Sequence, residues 1–131
     1  MNLRLLMATL FAAFVTTIHI LAGSTQVATP LLQSTLPTEL RLTLFAAWQL
    51  TNIVMGSSVV AFFIGSLPAQ QQASRYMVIF ASLLWLGFAA AFIVTALIQP
   101  EGGWLFKLQQ WTMLTPVGLL GLWGASSMRR N

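Results

Sequence analysis

YMVIFASLLWLGFAAAFIVTALIQP, residues Tyr76 to Pro100, runs from Arg75 to Glu101 without one charged side chain. A stretch of roughly 20 apolar residues is what an α-helix needs to cross the hydrocarbon of a bilayer. Outside lipid, so long an uncharged run has no reason to stay uncharged.

The same spacing repeats across the chain. Its remaining charges, Arg4, Glu39, Arg41, Lys107, Arg129 and Arg130, leave three more uncharged windows, Leu5 to Thr38, Leu42 to Ser74 and Leu108 to Met128. Each window can hold one crossing. The fold expected is therefore all-α, a transmembrane four-helix bundle in a single domain of residues 1–131, with spans at about 3–22, 40–64, 76–98 and 110–127.

Composition agrees, with 57% hydrophobic residues and only 6% charged ones. An ordinary soluble domain is about one-quarter charged. The absence of cysteine excludes disulfides, iron–sulfur clusters and thiolate zinc sites. A net charge of +4 is the balance of six basic residues, all at helix ends, against two acidic ones. They form no groove-tracking patch, so nucleic acid is not an expected partner.

Met1 to Arg4 followed by an apolar run admits a rival reading as a secretory signal. The run through Leu21 is longer than the 7–15 residues of a typical signal core, and Gln26 before Ala28 makes a poor cleavage site. Gly23 to Thr38 reads as a polar connection in which Thr29 and Pro30 cap one short helical turn. Pro37 opens span two, Gln70 to Gln72 form a hydrated loop, and Pro100, Gly102 and Gly103 end span three. Trp104 and Trp111 suit headgroup depth.

Arg4, Arg75, Arg129 and Arg130 fall on one side with no acid among them, whereas Arg41 and Lys107 share the other side with Glu39 and Glu101. Basic excess marks the cytoplasmic face. Both termini are therefore expected in the cytoplasm of a bacterial inner-membrane protein.

No catalytic set appears, and the four uncharged windows leave no Asp, Glu, Lys or Arg within the hydrocarbon, since Arg4 and Arg41 sit at the span ends. Proton-coupled transport usually relies on such a buried group. His19 is the single ionisable exception, placed about three residues below the outer end of span one. Gln49 and Asn52 share a helical face with Gly56, and amides in hydrocarbon seek partners on other helices. These residues read either as interhelical glue or as a small outward-facing pocket. In the pocket reading His19, Trp48, Gln49, Asn52 and Thr115 orient a polar headgroup, a quinone or another amphipathic ligand. One histidine is too few for the two axial ligands of a membrane haem without a second copy or Met113. No metal and no cofactor are expected. Small residues set the packing: Gly56 on span two, Gly87, Ala91 and Thr95 on span three, and Gly118, Gly121 and Ala125 on span four. Such faces let helices approach closely within the chain or in a dimer.

Ile18-His19-Ile20-Leu21-Ala22-Gly23, Leu36-Pro37-Thr38-Glu39-Leu40-Arg41-Leu42-Thr43-Leu44 running on to Trp48, and Gln109-Gln110-Trp111 through Pro116-Val117-Gly118-Leu119-Leu120-Gly121 resemble an uncharacterised family of small four-span bacterial inner-membrane proteins. The resemblance implies the fold and location and no activity. In the family pattern His follows the span-two Trp; here Gln49 stands there, which counts against a paired-His site.

The function expected is that of an accessory or interaction component without chemistry of its own, its partners being the bilayer and another protein or a second copy. A lipid- or quinone-binding protein, or a subunit of a DoxX-like membrane redox enzyme, is the alternative. A small dimeric transporter is the third reading.

Overall fold

The computed structural model describes residues 1–128, and among them the chain is helical throughout with no strand. Helix α1 spans Leu3–Gly23, α2 Thr29–Leu32, α3 Thr38–Ser66, α4 Gln71–Leu97, α5 Trp104–Lys107 and α6 Gln110–Ser126. Three stretches are long and apolar enough to cross a membrane: Leu3–Leu32, Thr38–Ser66 and Pro68–Leu97, of 30, 29 and 30 residues. Helix α6 has 17 residues. At 1.5 Å per residue it is about 26 Å long, at the lower limit for a crossing.

The first helix departs from the sequence reading. Gly23 to Thr38 is not an irregular connection, because a π-helical turn at Ser24–Ala28 carries the helix on through α2. Thr29 is not an N-cap; its backbone is helical (φ −64°, ψ −50°) and its N–H donates to the Ser24 carbonyl, five residues back. That wider turn absorbs Pro30, which has no N–H to give to an ordinary helical bond. The hydroxyls of Ser24, Thr25 and Thr29 donate to the carbonyls of Ile20, Ala22 and Ser24, so the loosened backbone keeps partners. The connection to α3 shrinks to residues 33–37, where Arg41 Nη1 donates to the Ser34 carbonyl at 3.3 Å.

Other boundaries move less. Pro37 precedes α3, with an extended ψ of 138°. Gln71 and Gln72 belong to the first turn of α4 after a short 3-10 turn at Pro68–Gln70, so Arg75 lies inside α4. Gly103, at φ 88°, takes the left-handed backbone that lets the chain turn into α5. Trp111 Nε1 donates to the Leu105 carbonyl and fastens α5 to α6.

The long helices pack in a ring: α1 lies against α3 and α6, and α4 against α3 and α6. Helix α6 is thus placed across the ring from α3. At one end Asn2 joins three helices. Its Oδ1 accepts from the Leu5 N–H and caps α1. Its Nδ2 donates to the Gly124 carbonyl and the Ser127 hydroxyl, and its backbone N–H donates to the Ser66 carbonyl. The capped end of α1 therefore meets the last turns of α3 and α6, and α1 runs antiparallel to both.

Packing is dense in the half nearest Asn2. Leu5, Phe62, Met55, Val78, Trp85 and Val117 are fully enclosed. Every buried residue of α3 lies at or beyond Met55, so its first half, from Thr38 to Val54, stands largely uncovered. Glycines permit the closeness. A Cβ on Gly118 would lie 2.6 Å from Leu86 Cγ and 2.8 Å from the Ser82 carbonyl oxygen. On Gly124 it would strike Leu5, and on Gly65 it would come within 2.5 Å of Val78. Buried hydroxyls are quiet in this core: Thr9, Ser58, Ser66, Ser74 and Ser82 each donate to a backbone carbonyl three or four residues earlier.

Helix α4 turns a different face inward from the one its small residues suggest. Gly87, Ala91 and Thr95 lie on its exposed side, and a Cβ on Gly87 would meet nothing within 4 Å. Ser74, Val78, Ala81, Ser82, Trp85, Ala89 and Ala96 are the buried set. The reason is size matching: α6 brings glycines to the α4 contact, and larger α4 side chains fill the space they leave. Gly56 likewise meets nothing within 4 Å.

Candidate functional site

Helices α1 and α3 meet along a polar seam. Because they are antiparallel, residues further along α1 face residues earlier in α3. The imidazole of His19 stacks on the indole of Trp48, with ring centroids 6.1 Å apart and planes 26° apart. Phe45 also stacks with Trp48, with ring centroids 6.0 Å apart. Gly23 makes room for it: a Cβ there would lie 3.3 Å from Trp48 Nε1.

Helical geometry places Thr16 and Asn52 one turn nearer Asn2. Thr16 and Gly23 are seven residues apart and so point within about 20° of one another. Thr16 therefore faces the same side as the glycine that touches Trp48. Asn52 follows Trp48 by four residues, on the same strip of α3.

Four buried polar atoms along this seam have no hydrogen-bond partner: Thr16 Oγ1, His19 Nε2, Trp48 Nε1 and Asn52 Oδ1. Such an atom left unpaired costs about 1–3 kcal/mol. Thr16 is 7% exposed and, unlike every other buried hydroxyl described above, does not bond to a backbone carbonyl. Asn52 finds its partner locally, its Nδ2 donating to Gln49 Oε1 at 3.0 Å.

Two expected members of the pocket stand apart. Thr115 donates to the Trp111 carbonyl of its own helix at 2.8 Å, and α6 lies across the ring from α3. Gln49 is exposed and reaches the seam only through Asn52. The Gln49, Asn52, Gly56 strip is thus turned partly outward, because Met55 and Ser58 take the inward positions of α3. His19 also sits deeper along its helix than the sequence suggested, since the helix continues to Leu32 rather than ending near residue 22. Thr16 carries no motif in the sequence, and its place at the seam follows only from its burial and its unpaired hydroxyl.

The seam carries no fixed charge: the side chains that bear its orphaned atoms are a hydroxyl, an imidazole, an indole and an amide. Among the described residues no group of three or more His, Cys, Asp or Glu could hold a metal ion. Two further orphaned atoms lie elsewhere, Arg75 Nε at the Asn2 end and Trp85 Nε1 in the core. At the rim, the Arg4 guanidinium stands 4.4 Å over the Trp123 ring, and the Lys107 ammonium 4.5 Å over Trp104.

Compared with family models, with curated proteins and with solved structures, the chain matches none.

Proposed function

We propose that this chain is a four-span protein of a bacterial inner membrane that serves as a non-catalytic accessory component, presenting the exposed face of α4 to a partner helix. The observation that carries the reading is the Gly87, Ala91, Thr95 ridge. It is uncovered within the chain, and Gly87 has open space where a side chain would be. Small residues spaced by four let another helix come close in lipid, where packing replaces the hydrophobic drive.

Support for the membrane setting is the length and apolarity of the three long helices. Helix α6 joins them as a fourth crossing because it packs on α1 and α4 over most of its length. Arg4 and Arg75 lie near the Asn2 end, whereas Glu39, Arg41, Glu101 and Lys107 lie near the other. Basic excess assigns the Asn2 end to the cytoplasm. Arg129 and Arg130 add to that bias in sequence, although they lie outside the described residues.

Gentle solubilisation followed by native mass spectrometry tests the proposal. A bound partner or second copy is expected, and Gly87→Leu should strip it while leaving the monomer folded. A parent chain that is always monomeric and alone would end the accessory reading. The unpaired atoms of the α1–α3 seam favour a second property, ligand binding, which is compatible with the first.

A further inference from the structure

We infer that the seam between α1 and α3 is a binding site for the uncharged oxygen headgroup, carbonyl or hydroxyl, of an amphipathic lipid, held by Thr16, His19, Trp48 and Asn52. The inference rests on the chain lying in a membrane and is independent of the α4 ridge.

The donor and acceptor pattern defines the ligand. Trp48 Nε1–H can only donate. Asn52 Oδ1 can only accept, and its Nδ2 is already engaged with Gln49. Thr16 can do both, and the imidazole Nε2 does either according to tautomer. A carbonyl oxygen satisfies the indole, and a hydroxyl can donate to the amide oxygen while accepting from Thr16 or Trp48. All four protein atoms are buried and unpaired. They are grouped on facing strips of two helices, whereas the buried hydroxyls Thr9, Ser58, Ser66, Ser74 and Ser82 are satisfied by backbone carbonyls three or four residues earlier.

Charge excludes the commonest alternative. A phosphate headgroup calls for a guanidinium or ammonium, and the seam supplies none. Arg41, nearer the start of α3, is turned to the Ser34 carbonyl. The half of α3 that borders the seam, Thr38 to Val54, is the half that the core leaves uncovered, so the ligand would enter beside it. The stacked rings of Phe45, Trp48 and His19 give the head a flat wall.

The test uses the full chain in phosphatidylcholine nanodiscs with its tryptophans labelled at the indole nitrogen. Trp48→Phe identifies the Trp48 resonance. Three probes are titrated separately: an isoprenoid benzoquinone, dioleoylglycerol, and dioleoylphosphatidylglycerol as the charged control. The Trp48 N–H signal is expected to shift saturably with the quinone, the diacylglycerol or both, and not with the phospholipid. Response to one neutral probe alone names the source of the oxygen. Thr16→Val and Asn52→Leu should each weaken that binding at least tenfold with helix content and thermal midpoint unchanged. The site is overturned by a Trp48 signal that ignores both neutral probes, by an equal response to the charged lipid, or by both variants binding like the parent. Failure of the chain to enter nanodiscs would overturn the membrane reading and the site together. A silent Trp48 in a chain that still carries its partner would remove the site alone.

Discussion

The Ser82 hydroxyl of α4 occupies the space that a Cβ on Gly121 of α6 would need, and the Phe62 ring of α3 closes the remaining side at 2.8 Å. Three helices meet at a position where only hydrogen fits. Overpacking such a contact costs about 1–3 kcal/mol even when neighbours adjust.

Gly121→Leu is therefore expected to lower the thermal midpoint in detergent or to abolish folding. Gly87→Leu is the matched control, because its added side chain enters open space. A scan of both variants decides the matter, and an unchanged midpoint for Gly121→Leu would contradict the packing described.

Asn2→Ala should destabilise the chain by about 1–2 kcal/mol, the usual cost of losing a helix cap, with the bonds to Gly124 and Ser127 lost as well. Asn2→Asp keeps the acceptor that caps α1 and loses the two donated bonds. Its thermal midpoint should fall between those of Asn2→Ala and the parent.

The helical class, the three long apolar helices and the glycines of α6 could be read along the chain, since charge spacing and glycine positions are local properties. Which face of α4 turns inward could not. Two strips of α4 carry small residues, Gly87 with Ala91 and Ala81 with Ala89, and the choice between them depends on the opposing shape of α6. The long first helix was hidden for another reason. Pro30 ordinarily reads as a break, and only the wider turn at Ser24–Ala28 lets the helix pass through it. His19 and Trp48, at matching depths in the sequence, stack in the structure, whereas Thr115 shares only their level, because depth does not say which helices are neighbours.

Trp85 is fully buried with its indole N–H unpaired. Trp85→Phe removes that orphan and leaves a small void, two effects of opposite sign and similar size. The variant should fall within about 1 kcal/mol of the parent, compared with a loss of about 3–5 kcal/mol for Trp85→Ala. Chemical denaturation monitored by circular dichroism can separate the two.

Reporter tags fused before Met1 and after Asn131 should respond on the same side of the membrane, the cytoplasmic one. A tag inserted between Gln33 and Leu36 should respond on the other. Opposite responses from the two terminal tags would exclude an even number of crossings.

Asn2 and Gly124 are joined across a separation of 122 positions. During synthesis the ribosome makes the first long before the second, so the opening helix must form with its amide still unclaimed. The Ser66 carbonyl becomes available once the third helix is complete, and the full clasp closes only when the last turn of α6 has emerged. The order of translation thus leaves one latch to be fastened at the very end, and a chain stalled before residue 124 would keep its first helix loosely held and open to quality-control proteolysis.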